Sequence, residues 1–242
     1  VDLQGALAQL LHLGGRVPRF GDKRYFLADM PMSKLAMAEP IGILIFEHVE
    51  ELDFVGPWEV FTAAAHLAGE VAGEVAGASA DSVCLIAEEL APLRCAKGMR
   101  VLPDCTLADA PALDVLVVPG GLGTRRVAKN PAVIGWLRER AASCAWVTSV
   151  CTGALLLYEC GAARGRRVTT HHSFVETLRA RGDVTVLTGL RFVRDGNVVT
   201  AAGVSAGIDM ALWIVGQRQD PAFARSVQRY IEYHPAPPYS AE

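Results

Sequence analysis

The chain has no Cys-x-x-Cys pair, no long apolar run, no excess of charge of one sign, and no internal repeat or low-complexity tract. Each absence excludes a class. Without a close Cys/His cluster at ligand spacing, a metal site is not expected. The longest apolar runs fall far short of the roughly 18 residues that a membrane-crossing helix needs. Lys and Arg number 23 against 26 Asp and Glu, for a formal net charge of -3. That balance gives no electrostatic reason to expect nucleic acid or an anionic membrane surface as a partner. The N-terminus, VDLQGALAQLLHLGG, carries acidic Asp2 where a signal peptide carries positive charge.

What is present is ordinary globular material, 51% hydrophobic and 20% charged, so disorder is excluded as the dominant state. A chain of 242 residues buries enough core to fold without covalent staples. The six cysteines, Cys84, Cys95, Cys105, Cys144, Cys151 and Cys160, are therefore read as reduced and the compartment as cytoplasmic. Leu3, Leu7, Leu10 and Leu11 suggest a short amphipathic helix stopped by Gly14-Gly15. Met30, Met32 and Met37 are candidate natural starts, so residues 1–38 are read as an N-terminal extension. Residues 39–242 are read as one catalytic domain.

Apolar strands alternate with helical stretches throughout that domain. IGILIF, VCLIA, DVLVV, AWVTSV and RVTTHH read as strands, and RFVRDGNVVTAAG reads as a hairpin turned on Asp195-Gly196. WEVFTAAAHLAG reads as a helix with Pro57 in its first turn, and NPAVIGWLRERAA as one capped by Asn130. Later helices are CTGALLLYECG, SFVETLRARG, VSAGIDMALWIVGQ and PAFARSVQRYIEY, with PAPPY as a stiff tail. This alternation predicts an α/β fold with a doubly wound, mostly parallel sheet sandwiched by helices, its ligands held beyond the carboxyl ends of the strands. Three loops should then converge, carrying Asp53, Pro119-Gly120-Gly121 and Cys151.

Cys151 stands between AWVTSV and a strong helix former run, the arrangement of a nucleophile elbow at a strand-to-helix turn. A helix N-terminus there would stabilise a thiolate and lower the thiol pKa. The alternative is a small buried hydrophobe, the reading adopted for the other five cysteines. Gly120 and Gly121 could aim N–H groups at a developing negative charge, or simply end the strand. Asp53, between Leu52 and Phe54 in a loop, should be desolvated and favour its neutral form; alternatively it caps the helix near Pro57. His171 could reach the pocket, or be structural. Asp209 reads as a structural hydrogen-bonding residue, and Trp58, Trp136, Trp146 and Trp213 as core packing.

With LDFVGPWEVF, VLVVPGG, VTSVCTGALLL, RVTTHHSF, VRDGNVVTAAGVSAGIDMAL and EYHPAPP in order, the chain resembles the ThiJ/PfpI superfamily from about Ile41 onward. That superfamily has a class I glutamine amidotransferase-like, flavodoxin-like fold. Within it the resemblance is greatest to the isonitrile hydratase branch. It implies Cys151 as nucleophile, Asp53 as the acid facing it, and Thr152 as the residue whose N–H and hydroxyl shape the site. Gly120, Gly121 and His171 are the expected substrate-binding residues. The implied reaction is hydration of a small-molecule isonitrile to an N-substituted formamide through a cysteine thioimidate. It needs no cofactor and no metal, and homodimers are expected. Two departures stand out: Ala201-Ala202-Gly203 replaces a glycine run, and His172 replaces a tryptophan. The same domain resembles the ligand-sensing half of AraC-type regulators, but Glu242 follows EYHPAPP so soon that a DNA-binding region is not expected. A stress-response protein acting through oxidation of Cys151 is the third reading.

Overall fold

The computed structural model describes residues 40–72 and 83–235, so the expected N-terminal extension and the tail beyond Pro235 lie outside the described residues. The chain first forms β1 (Ile41–Leu44), with every residue buried, as a strand covered on both faces must be. Then come α1 (Glu51–Ala72) and β2 (Val83–Ala87). A small antiparallel ribbon, β3 (Leu93–Arg94) with β4 (Arg100–Val101), precedes β5 (Cys105–Thr106) and β6 (Val115–Val118). The short α2 (Thr124–Val127) leads to α3 (Pro131–Ser143), where Asn130 accepts from the N–H groups of Ala132 and Val133. β7 (Trp146–Val150) passes through a 3-10 turn, Cys151–Gly153, into α4 (Ala154–Glu159).

A second parallel pair, β8 (Arg167–Val168) with β9 (Thr185–Val186), brackets a 3-10 turn at His172–Phe174 and α5 (Val175–Arg179). The hairpin β10 (Phe192–Asp195) and β11 (Val198–Ala201) follows, then α6 (Ala206–Arg218) and α7 (Pro221–Tyr230). The main sheet runs β10-β11-β7-β6-β1-β2-β5, parallel except for β10. From β1 the chain goes outward to β2 and β5, then returns to β6 on the other side. The carboxyl ends of β1 and β6 therefore flank the switch point, where a doubly wound sheet opens a crevice.

Helices cover both faces. Phe61 on α1, Leu116 on β6 and Leu156 and Leu157 on α4 are fully buried, each worth about 1.5–3 kcal/mol in apolar transfer. Among the described residues no helix is long and apolar enough to cross a membrane.

Three expectations change. The helix expected from Trp58 begins at Glu51, so Asp53 lies in its first turn and Pro57 lies inside it. RVTTHH is strand only over Arg167–Val168, because Thr169 and Thr170 turn their hydrogen bonds elsewhere. Trp58, read as core, is 37% exposed beside Leu52 and Val55 on one face of α1.

Candidate active site

The site is built where β6 and β7 end. In their register Val118 pairs with Ser149, so Gly120 and Cys151 follow at the same level of the sheet. Cys151 has φ 58, in the left-handed region that a non-glycine residue enters only when its surroundings hold it there. Two backbone approaches do the holding. A Cβ on Gly153 would stand 2.0 Å from the carbonyl oxygen of Val118, and one on Gly120 would stand 2.5 Å from the N of Thr152. Both positions thus require glycine, and the two loops lock main chain against main chain. Behind the elbow, the Thr170 hydroxyl donates to the Cys151 carbonyl at 2.8 Å.

Asp53 comes from α1 and is completely buried. Its Oδ2 accepts the Gly120 N–H at 2.8 Å, so it does not cap its own helix. Oδ1 is buried without a hydrogen-bond partner of ordinary geometry, while the Cys151 thiol interacts with the carboxyl. Burial pushes Asp53 up to about 7; the Gly120 N–H opposes this and the charge of Glu50 adds to it. The sequence-based expectation of a desolvated acid therefore holds.

The lowered thiol pKa expected for Cys151 does not. Burial, then the negative charge of Asp53, push the thiol up to about 12. The Thr152 N–H, which hydrogen-bonds to the sulfur, lowers it without offsetting them. The physical reason is that burial disfavours the thiolate and the Asp53 charge adds to it, while the elbow opens into only a single 3-10 turn and a six-residue helix, too weak a dipole to offset them. At neutral pH the proton rests on sulfur.

Thr152 is buried, and its Oγ1 accepts the Gly121 N–H at 3.0 Å. Thr124 donates to that same Oγ1 at 3.3 Å. The N–H groups of Gly120 and Gly121 are thus brought to the site but engaged by Asp53 and Thr152, so they position these side chains before they meet any substrate. Sequence reasoning missed Thr124, which sits on a four-residue helix too short to show periodicity. It also missed Arg125, which donates to the Gly121 carbonyl at 3.0 Å while lying 4.7 Å over the Phe174 ring. Glu50 was missed as well, although its charge acts on Asp53, Cys151 and His171 alike.

His171 stands at the rim. Its Nδ1 is 2.8 Å from the Ser173 hydroxyl and its ring lies 4.2 Å from that of His172. Burial and then His172 hold its pKa below the usual histidine value, with Glu50 opposing them. No histidine figures among the groups that shift Cys151, so the pair that forms is Cys–Asp. Asp209 accepts from Arg191 and from the Tyr233 hydroxyl, a structural role tying the C-terminal segment to α6.

All six cysteines are free thiols. Among the described residues no group of three or more His, Cys, Asp and Glu could hold a metal ion. A cavity of about 500 Å³ at the ends of β1 and β2 is lined by Phe46, Glu47, Glu88 and Arg126 and does not reach Cys151. A second, of about 540 Å³, is lined by Thr170, His172, Ala202 and Gly203 among others, and its lining does not include Cys151 either.

A doubly wound sheet with one buried acid facing one cysteine at a left-handed elbow defines an α/β protein whose candidate site is that pair. The chain belongs to the DJ-1/PfpI family, whose model matches residues 40–217. It is similar to an isonitrile hydratase of Pseudomonas putida, 36% identical over 205 residues that cover 85% of this chain and 83% of that one. A ThiJ/PfpI family protein from Pseudomonas syringae superposes with a TM-score of 0.74 at 30% identity, over 96% of this chain and 87% of that chain. The HTH-type transcriptional regulator CdhR of Pseudomonas aeruginosa is 29% identical over 143 residues, 59% of this chain and 42% of the regulator.

Proposed function

We propose that the protein hydrates an organic isonitrile to the N-substituted formamide. The observation that carries this reading is the Cys151–Asp53 pair, a protonated thiol beside a carboxyl that ionises near neutrality. The similarity to an isonitrile hydratase across most of both chains supports it.

The terminal carbon of an isonitrile accepts a nucleophile and then carries a lone pair that takes a proton. Asp53, as carboxylate, removes the thiol proton while the sulfur bonds to that carbon, and hands the proton to the same carbon. The product is a thioimidate, R–N=CH–S–Cys151. Asp53 is again a carboxylate; it takes a proton from water as the oxygen adds to the carbon, and passes that proton to the nitrogen. The tetrahedral species collapses: its hydroxyl loses a proton, the C–S bond breaks, and the sulfur recovers its hydrogen. One isonitrile and one water give one formamide. Bonds form and break at one carbon and the protons move only among the atoms attached to it, so one carboxyl beside one sulfur suffices.

Turnover of cyclohexyl isonitrile, followed by appearance of the formamide, tests this reading. Full activity in Cys151→Ala would overturn it. Expression inside the cytoplasm and assembly as a homodimer accompany the proposal. The exposed Leu52, Val55 and Trp58 stripe on α1 is the apolar surface that a second copy would cover.

The similarity to part of a transcriptional regulator supports a second reading, a ligand-sensing domain. Tight binding of an isonitrile without turnover would favour it. The stress-response reading is weakened by the raised Cys151 pKa, since peroxide reacts with the thiolate.

A further inference from the structure

Three carboxyls crowd the start of α1, where Glu50, Glu51 and Asp53 stand within four residues of one another. Lys97 answers them from the turn of the β3–β4 ribbon. Its Nζ pairs with Glu50, and its N–H donates to Glu51 Oε1 at 2.7 Å. Three more hydrogen bonds pin the ribbon to the segment after β1. The His48 N–H donates to the Arg94 carbonyl at 2.8 Å, the Ala96 N–H to the Val49 carbonyl at 2.8 Å, and the Arg94 N–H to Glu47 Oε2 at 2.9 Å. Glu50 is tied to the site as well. Its own N–H donates to the Gly120 carbonyl at 3.0 Å, and the Gly120 N–H donates to Asp53 Oδ2 at 2.8 Å. Gly120 therefore holds the main chain of Glu50 and the carboxyl of Asp53 together.

We propose that Glu50 is a positioning residue for the Cys151–Asp53 pair and that Lys97 clamps it, so the β3–β4 ribbon, which carries no reacting atom, governs when Asp53 releases its proton. The kinetic side of this inference rests on the hydration reading above, in which Asp53 must be a carboxylate to take the thiol proton. Asp53 faces Glu50 from its own segment, Cys151 from the elbow and Lys97 from the ribbon. Glu50 also faces Cys151, His171 after β8 and Cys95 on the ribbon. Burial does most to keep Asp53 protonated; Glu50 adds to it, and Lys97 opposes both. The two charges are not equally screened. The Glu50 side chain is 15% exposed and that of Lys97 is 68% exposed, so water weakens the ammonium more than the carboxylate. Taking Lys97 away leaves Glu50 unopposed, and Asp53 then keeps its proton to higher pH.

The test titrates the Asp53 carboxyl by carbon NMR in the full chain without substrate, beside the pH profile of kcat/KM for cyclohexyl isonitrile. Glu50→Gln should move both midpoints down by about 0.5–1 pH unit, and Lys97→Met should move them up by less. Lys97→Arg keeps the charge and should leave them in place. The double variant Glu50→Gln/Lys97→Met should lie between the two single ones. Residues that only braced the loop would not shift the titration in opposite directions. An unmoved carboxyl titration in Glu50→Gln, or single variants that shift it the same way, overturns the clamp and leaves the hydration reading standing. Failure of the unaltered protein to turn over the isonitrile overturns the hydration reading, while the carboxyl titration still decides the clamp.

Discussion

The carboxylate of Asp53 raises the pKa of the Cys151 thiol, and the thiol, through its hydrogen bond, holds Asp53 below the value that burial alone would set. The pair therefore titrates as a unit, with a first ionisation at about 7 and a second at about 12. Between them it carries one proton, the form the proposed hydration requires. The kcat/KM for an isonitrile should rise as pH increases through about 7 and then stay level into the alkaline range. Asp53→Asn should lose that rising limb and about 10²–10⁴ of the rate, read from a pH–rate profile of both proteins.

Stability should show the opposite trend. Asp53 has a folded pKa of about 7 against an ordinary value of 3.8 for a solvated aspartate, so it binds its proton more tightly when folded. Its contribution is fully present below about 4 and is lost as pH rises through about 7. Asn keeps an acceptor for the Gly120 N–H without the charge. Asp53→Asn should therefore stabilise the protein at pH 8 by on the order of 2 kcal/mol, shrinking toward zero near pH 4. Urea titrations at the two pH values measure this.

The left-handed backbone of Cys151 predicts a difference between two inactive variants. Cys151→Gly should be more stable than Cys151→Ala by about 1 kcal/mol, because only glycine adopts that φ without strain. Equal thermal midpoints for the two would contradict it.

The elbow's contact with the strand beside it predicts an asymmetry between two glycines. Gly153→Ala drives a Cβ to 2.0 Å from a backbone carbonyl and should destabilise by about 1–3 kcal/mol. Gly120→Ala also meets the Asp53 carboxyl, at 2.9 Å, so it should lose activity beyond what its stability loss explains. Denaturation curves and kcat/KM of the same preparations separate the two effects.

Light scattering should give the mass of two chains, and Trp58→Glu should shift it toward one. A single-chain mass for the unaltered protein would refute the pairing.

The layered fold and the meeting of Asp53, the Pro119-Gly120-Gly121 turn and Cys151 were legible because they follow from patterns the sequence displays: apolar strands, glycine turns, and a helix former run after VTSVC; that Asp53 arrives on a helix and not in a loop was not. The hairpin on Asp195-Gly196 was readable for the same reason, and β10 and β11 pair around it. The start of α1 was not, since Pro57 looks like a first-turn residue and Glu50, just before the helix, is not one of the residue types that mark an N-cap in sequence. The thiol pKa was misjudged because a helix terminus is visible in sequence, whereas the burial of the sulfur and the nearness of a carboxylate 98 positions away are not. Thr124, Arg125 and Glu50 act through tertiary contacts that leave no local pattern.

Main chain fixes the reactive pair: two glycines wedge the loops of β6 and β7 together, and the acid hangs from a backbone N–H. The walls of the neighbouring cavity are instead side chains on the stretch after β8 and the loop before β10. Substitutions among those side chains can therefore leave the backbone that holds Cys151 and Asp53 undisturbed.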